Sequence, residues 1–394
     1  MMDKAQDHIN LGTAFTLSKR YEDALVEFKK ALELTPNDGE ILFHLGALCT
    51  NMGNYPEAES YYRKSLEINP MNLNAHCKLG LLLEIQGKYP DAVLEFKKSI
   101  ELNPGDAGLF NNLGNVYAKM GAYQEAVEQY KNYTAINPSN AEIYFKMGYA
   151  CEQSGHLDEA ISAYEKALIA NPRHAAVYAI LGNAYSKRGM YPEALVQYQQ
   201  ALKLNPHEPE AHLKMGHAFM SLGQYDKAIE VLKQAREKNP NNAEVYLKLG
   251  MIYAGRGLHE DAIKMYRKVM EINPNDASVH NVLGYIYDKQ GDIQKALEEY
   301  KAAKLINPND VLILDNLGNL NYKLGHFDEA IVEYEKLLSL NPTHADAHSK
   351  LGNIYMKKGE KQMALDHWEK SLALDPTNEI LKNNLKIMKG STVV

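Results

Sequence analysis

Residues 113–121 read LGNVYAKMG. Apolar residues lie three and four apart in this stretch, which predicts a helix. Gly121 closes it, at a place where a glycine can end a helix in a left-handed conformation. A glycine equivalent to Gly114 recurs every 34 residues from Gly12 to Gly352. This repeat decides the fold, because every copy must form the same supersecondary unit.

Alanine and proline keep the same period. Alanines recur from Ala24 to Ala364 and prolines from Pro36 to Pro376, each 34 residues after the last. Every repeat has two segments of helical periodicity, so it is predicted to be a pair of helices. The small glycine and alanine let the two backbones approach closely, and the proline ends the second helix. One pair cannot bury its apolar face alone, so neighbouring pairs are expected to stack.

The spacing and the residues at these positions resemble the tetratricopeptide repeat (TPR) family over residues 5–378. We number the positions of each repeat from 1 to 34, starting at Ala5. The resemblance implies an all-α, right-handed superhelical solenoid of eleven antiparallel helix pairs. Residues 379–389 repeat the first helix and are predicted to be a C-terminal capping helix, followed by a flexible tail, 390–394. The tail ends STVV, a loose match to the termini that PDZ domains bind.

The composition is that of an ordinary globular protein, with 394 residues, 45% of them hydrophobic, and a net charge of −7. It has no basic footprint for nucleic acid. No stretch approaches the ~20 apolar residues of a membrane-spanning helix, and the N-terminus lacks the apolar run of a secretion signal. Cys49, Cys77 and Cys151 show no metal or redox spacing. We therefore expect a cytoplasmic protein that neither binds nucleic acid nor inserts into membranes.

No arrangement of residues indicates catalysis, a cofactor or a metal site, so the chain is predicted not to be an enzyme. Gly114 and Gly121 are not a phosphate loop, because no Gly-Lys-Ser/Thr motif follows and no strand precedes them. Histidine recurs at position 4, but copies one repeat apart lie about 10 Å from each other, too far to share a metal ion. We expect these histidines to be partly buried and hydrogen-bonded: His8, His76, His212, His280 and His348.

The resemblance implies a concave groove lined by positions 2, 5, 6, 9, 12 and 13 of the first helices, where family members hold extended peptides. Asparagine at position 9 occurs with lysine at position 13 in four repeats, on one helical face. The pairs are Asn115 and Lys119, Asn183 and Lys187, Asn319 and Lys323, and Asn353 and Lys357. In three cases the next repeat adds a lysine at position 6, namely Lys146, Lys214 and Lys350. Amides pair with peptide backbone and ammonium groups with carboxylates, which predicts a ladder for extended, partly acidic segments.

A second interpretation of the ladder stays open. Duplication of one repeat would copy asparagine and lysine together without selection for binding, although no packing role is expected for either residue. The carboxylate clamp of chaperone-binding family members requires lysine at position 5, which no repeat has. The chain is therefore not expected to bind the acidic C-termini of chaperones.

Apolar residues also lie on the expected groove lining. They form two groups, Phe43, Leu81 and Ile85 in repeats 2 and 3, and Leu213, Met220, Leu247 and Met251 in repeats 7 and 8. Exposed apolar patches mark partner sites. Alternatively, a neighbouring turn of the superhelix or a second copy of the chain covers them, the latter making a homo-oligomer.

The sequence thus predicts a non-catalytic scaffold or adaptor that binds extended peptide segments or partner proteins along its concave groove. Two alternatives remain open. In the first, the chain is the substrate-recruiting arm of a larger enzyme, such as a glycosyltransferase. In the second, it is a self-assembling structural protein.

Overall fold

The computed structural model describes residues 2–206 and 208–390, which contain helices and no strands. The all-α prediction is confirmed. Contacts divide the chain into two compact units, Met1–Lys214 and Met215–Val394. The helices of the first unit are α1 Met2–Leu17, α2 Tyr21–Leu34, α3 Gly39–Asn51, α4 Tyr55–Ile68, α5 Leu73–Ile85, α6 Tyr89–Leu102, α7 Ala107–Lys119, α8 Tyr123–Ile136, α9 Ala141–Gln153, α10 Leu157–Ala170, α11 Ala175–Lys187 and α12 Tyr191–Leu204.

The unit boundary falls within α13, Pro209–Ser221. The remaining helices are α14 Tyr225–Lys238, α15 Ala243–Gly255, α16 His259–Ile272, α17 Ala277–Gln290, α18 Ile293–Ile306, α19 Val311–Leu324, α20 Phe327–Leu340, α21 Ala345–Lys357, α22 Lys361–Leu374 and α23 Glu379–Gly390. From α3 onward, every odd-numbered helix begins at position 1 of a repeat. The 34-residue period of the sequence is therefore a period of helix pairs.

The two helices of a repeat approach closely at the position-8 glycine. A Cβ atom added to Gly114 of α7 would lie 2.7 Å from Cε1 of Tyr130 in α8, and one added to Gly148 would lie 2.5 Å from Cε1 of Tyr164. Real Cβ atoms do not come this near to a ring, so any larger residue must push the helices apart. The predicted role of this glycine in close packing is confirmed.

The glycine at position 15 ends the first helix. Gly121 has a φ of +76°, and the first repeat holds Lys19 at a φ of +59° in the same place. After this turn, the N–H of Ala122 donates to the carbonyl of Tyr117 at 2.9 Å. The left-handed residue reverses the chain at the end of the helix, so that α8 returns along α7.

Neighbouring repeats complete each other's cores. One cluster in the first unit joins Tyr62 of repeat 2, Leu79 and Phe96 of repeat 3, and Leu113 of repeat 4, each at most 2% exposed. A cluster in the second unit likewise joins Tyr266, Leu283 and Tyr300 with Leu317. Burial across repeat boundaries is what stacked helix pairs require.

The last helix covers the end of the final pair. Leu381 and Leu385 of α23 pack on Trp368 and are 2% and 7% exposed. Gly390, assigned to the tail by the sequence pattern, belongs to this helix. The rest of the predicted tail, 391–394 with its STVV terminus, lies outside the described residues.

Candidate functional site

Asparagine at position 9 has a structural partner in all four repeats. The hydroxyl of Tyr130 donates to Oδ1 of Asn115 at 3.0 Å, and the indole N–H of Trp368 donates to Oδ1 of Asn353 at 3.0 Å. The other two pairs are Tyr198 with Asn183 and Tyr334 with Asn319, both at 2.8 Å. The expectation that this asparagine has no packing role is wrong, because it accepts the hydrogen of a buried ring.

The sequence carries a signal for this contact that pattern reasoning missed. The ring always lies fifteen residues after the asparagine, at position 24. Tyr62, Tyr164, Tyr266 and Tyr300 also stand at position 24 but without this asparagine, so the asparagine predicts a donor ring and not the reverse. The two repeats with phenylalanine there, Phe28 and Phe96, have Thr13 and Leu81 at position 9. A ring without a polar atom needs no hydrogen-bond acceptor.

The ring also sets the direction of the amide. An indole N–H can only donate, so Asn353 must turn its oxygen toward Trp368 and its NH₂ group away. Burial, with a smaller contribution from Glu84, raises the pKa of Tyr130 to about 12, so its hydroxyl keeps its hydrogen for Asn115. Nδ2 of Asn115 and Nδ2 of Asn353 donate to no other group in the described part of the chain. Both NH₂ groups are therefore available to a ligand.

Asn319 differs from the other three asparagines. Its Nδ2 donates to Oδ2 of Asp315 at 2.9 Å. Its Oδ1 accepts from Lys350 as well as from Tyr334. Both ends of this amide are engaged within the protein, which makes it a poorer candidate for binding a peptide.

Lysine at position 13 reaches back to position 12 of the preceding repeat. Lys119 lies 2.8 Å from Glu84, which is 13% exposed. The equivalent pairs are Lys187 with Glu152 and Lys323 with Asp288, both at 2.6 Å. The hydrogen bond to Glu84 raises the pKa of Lys119. These ammonium groups are charged, and acids of the protein compensate their charge.

Lys357 has an aromatic neighbour where the other copies have an acid. Position 12 of the preceding repeat is Tyr322, and Nζ of Lys357 lies 4.6 Å from the centre of that ring and 5.4 Å from the centre of the Phe327 ring. Rings hold a cation by cation–π attraction without neutralising it. No carboxylate within the described ranges pairs with Lys357, so this copy presents an uncompensated charge.

The lysines at position 6 pair with an acid four residues earlier on the same helix. Lys146 lies 3.1 Å from Glu142 and also donates to Asn111 at 3.2 Å. The other pairs are Lys350 with Asp346 at 2.8 Å and Lys214 with Glu210 at 3.8 Å. Six of the seven ladder lysines are thus balanced by acids of the chain itself.

The structure gathers members of the predicted ladder in two separate clefts. A cleft of about 340 Å³ in the first unit brings together Asn115, Lys119 and Lys146, and its other lining residues are Glu84, Ala118, Tyr130, Phe145 and Tyr149. A cleft of about 380 Å³ in the second unit lies between repeat 11 and α23. It is lined by Tyr322, Asn353, Met356, Lys357, Trp368, Asn384, Ile387 and Met388.

The predicted apolar patches are less exposed than expected. Ile85 and Met251 are 60% and 49% exposed. Leu213 is 4% exposed, so it belongs to the packed interior and not to a surface patch. The remaining members are partly buried, namely Phe43, Leu81, Met220 and Leu247. Phe43, for example, packs its ring at 6.0 Å from that of Tyr62.

The position-4 histidines form hydrogen bonds, as predicted, and in four of the five repeats position 23 supplies the partner. Nδ1 of His212 instead lies 3.3 Å from the backbone oxygen of Glu208. Nδ1 of His76 lies 2.6 Å from Oε2 of Glu95. The same contact joins His8 with Glu27 and His280 with Glu299, whereas His348 meets His367 at 3.0 Å. No cluster of three metal-ligating side chains occurs within 2–206 and 208–390. Within the same ranges, every helix is too short or too polar to span a membrane.

Family models described as tetratricopeptide repeat or TPR repeat together match residues 12–72 and 85–378. Among solved structures, the Naa15/Naa10 complex bound to HypK-THB is similar with a TM-score of 0.50 at 14% identity, covering 98% of this chain and 66% of that one. A tetratricopeptide repeat protein from Parabacteroides merdae has a TM-score of 0.46 at 20% identity, covering 63% and 98%. Yeast Tom70 has a TM-score of 0.41 at 19% identity, covering 99% and 96%. No curated protein matches the sequence.

Proposed function

Because this chain belongs to the tetratricopeptide repeat family, whose repeats serve as protein-interaction scaffolds, we propose that it is a non-catalytic scaffold for extended peptide segments. The observation that carries this proposal is the cleft in which Asn115, Lys119 and Lys146 come together. Three residues from two repeats converge there, with polar groups pointing at one space. A few convergent polar groups in an apolar cleft are typical of binding sites.

Asn115 supplies a directed donor for a peptide. Because Tyr130 holds the amide oxygen, the NH₂ group is left to donate to a backbone carbonyl or a side-chain oxygen of the ligand. Tyr149 is 47% exposed and, with Phe145, provides an aromatic wall for an apolar side chain. The cleft thus combines one fixed hydrogen-bond donor with a hydrophobic contact, which gives both orientation and affinity.

The charges of this cleft favour an acidic ligand only weakly. Lys119 pairs with Glu84 and Lys146 with Glu142, so two cations face two anions. Each ammonium group still has N–H groups that can donate to a ligand carboxylate. The net charge around the two lysines is close to zero, however, so it does not attract an acidic ligand. We therefore assign the first cleft to backbone recognition rather than to acid recognition.

The cleft at the C-terminal end suits an acidic residue better. Lys357 lies between rings and lacks a compensating carboxylate among the residues described, and Asn353 and Asn384 line the same space. An unpaired ammonium group beside two amides favours a carboxylate ligand. We propose that acidic side chains of the partner bind here.

The test is selection of short peptides from a random displayed library on the intact chain, followed by affinity measurements with variants. Asn115→Asp keeps an oxygen for the Tyr130 hydroxyl and removes the NH₂ donor. We expect it to weaken peptides that bind the first cleft at least about fivefold while the protein stays folded. Asn183→Asp is the matched control, because this asparagine accepts from Tyr198 in the same way but does not line this cleft. Equal binding by wild type and Asn115→Asp would refute the proposed contact.

A further inference from the structure

A tyrosine at position 11 links neighbouring repeats at several points. The hydroxyl of Tyr185 donates to Glu165 at 2.5 Å, and that of Tyr287 accepts from Arg267 at 2.9 Å. In both cases the partner stands at position 25 of the preceding repeat. Repeat 10 has Asn321 at position 11 instead, and Lys301 at position 25 before it. The ring and the hydroxyl that would meet the lysine are thus both missing there.

The same repeat contains a buried carboxylate oxygen without a partner. Glu333 is at position 23, where Glu95 and Glu299 accept from an imidazole at position 4. In repeat 10 position 4 is Leu314, which cannot donate. Oε1 of Glu333 takes the Lys304 ammonium group at 2.7 Å, and the side chain is 7% exposed. Oε2 is buried and accepts from no group that the structure describes.

These two changes meet in one cleft of about 610 Å³ between α18, α19 and α20. Leu297, Leu305 and Leu317 provide apolar walls, while Asn321, Lys301 and Glu333 provide polar groups. The volume falls in the range of about 300–1,000 Å³ that small-molecule sites have. None of its lining residues belongs to the two clefts that contain Asn115 and Asn353.

We propose that the repeat-10 cleft binds an aromatic ring that carries a hydrogen-bond donor on its edge, with a phenol as the best match. The ring fills the space that a position-11 tyrosine fills in other repeats. Its O–H donates to Oε2 of Glu333, because a buried acceptor without a partner is costly and gains from any donor. The phenol oxygen accepts from Lys301, as the hydroxyl of Tyr287 accepts from Arg267. A ring that carries only an acceptor can accept from Lys301, but it cannot donate to Oε2 of Glu333.

The phenol has two sources, a free aromatic molecule or a tyrosine side chain on a partner. Binding of p-cresol, p-methylanisole and N-acetyl-tyrosine amide to the intact chain is measured by calorimetry or ligand-observed NMR. p-Cresol and p-methylanisole share the ring, but only p-cresol can donate, so we expect p-cresol to bind at least about tenfold more tightly. Tighter binding of N-acetyl-tyrosine amide than of p-cresol identifies a peptide tyrosine, and weaker binding identifies a free phenol.

Two variants place the ligand in this cleft. Asn321→Tyr puts a ring into the space and is expected to abolish binding of all three probes. In Glu333→Gln the amide oxygen stays on Lys304 and an NH₂ group takes the place of Oε2. This change is expected to weaken p-cresol about tenfold without changing p-methylanisole. It also serves if Asn321→Tyr fails to fold. The proposal is overturned if wild type does not bind p-cresol, if Asn321→Tyr binds it equally well, or if Glu333→Gln changes the affinities for p-cresol and p-methylanisole by the same factor. Peptides that bind the clefts at Asn115 and Asn353 should bind both variants with wild-type affinity.

Discussion

The indole nitrogen of Trp368 lies 3.0 Å from Oδ1 of Asn353, and the hydrogen bond between them joins the two helices of one repeat. Three tyrosines make the same bond in other repeats. An asparagine on the first helix of the repeat thus satisfies a ring in the interior. Substitution of such an asparagine is therefore expected to affect both ligand binding and the stability of its repeat.

The first prediction concerns this coupling in repeat 4. Asn115→Ala leaves the Tyr130 hydroxyl without its acceptor, and Tyr130→Phe leaves the amide without its donor. We expect each change to lower the free energy of unfolding by about 1 kcal/mol. The double variant should be less destabilised than the sum, by roughly 0.5–1.5 kcal/mol. Urea unfolding, fitted with a nearest-neighbour treatment of the repeats, measures these values, and strict additivity would show that the two groups do not interact.

The second prediction concerns the close approach of α7 and α8. Gly114→Ala places a Cβ atom 2.7 Å from the Tyr130 ring, and we expect a loss of about 1–3 kcal/mol of stability from overpacking. Gly255→Ala is the matched control, a helical glycine with no atom within 4 Å of the added Cβ. It should raise stability by up to about 1 kcal/mol. If both variants melt at the wild-type temperature, the packing account of this glycine fails.

The third prediction is a pH dependence at the last repeat. Burial first, and then the neighbouring His348, lowers the pKa of His367 from 6.5 to about 4. Between pH 6.5 and 4, His367 is therefore protonated in the unfolded chain but not in the folded chain. The free energy of unfolding thus falls as the pH drops through this range. The loss should be roughly 1–2 kcal/mol, once the partial exposure of this ring is allowed for.

A substitution that copies the residue of another repeat provides the control for this effect. His367→Glu recreates the pair that His280 forms with Glu299. The variant should lose less stability than wild type between pH 6.5 and 4 in urea unfolding. An unchanged pH profile would assign the acid sensitivity to other groups.

The fourth prediction compares two lysines of the ladder. Lys357→Gln removes an uncompensated cation, whereas Lys119→Gln removes one that Glu84 already balances. For selected peptides carrying an acidic residue, we expect Lys357→Gln to weaken binding about three- to tenfold and Lys119→Gln less than about twofold. Fluorescence anisotropy with each peptide and its Glu→Gln analogue measures both effects. A larger effect at Lys119 would reverse the assignment of the acidic subsite.

The helix pairs were predictable from sequence because their determinants are local and repeated. Gly114 and Gly121 recur with one period, and the conformations that they permit depend on backbone sterics within a few residues. The partly buried, hydrogen-bonded state of the position-4 histidines followed from their place on the helix, although their position-23 partners did not.

The contacts of the asparagines at position 9 and the lysines at position 13 were decided by tertiary structure. Asn115 and Lys119 form the predicted pair on one face, but one bonds Tyr130 in the next helix and the other Glu84 in the preceding repeat. The cleft beside Asn321 arises because a missing ring and an unpartnered carboxylate of repeat 10 meet beside α18 of the preceding repeat. The sequence alone determined a period, since backbone geometry repeats along the chain. Only the packed helices determined which side chains are free to bind, because pairing depends on distances between residues far apart in sequence.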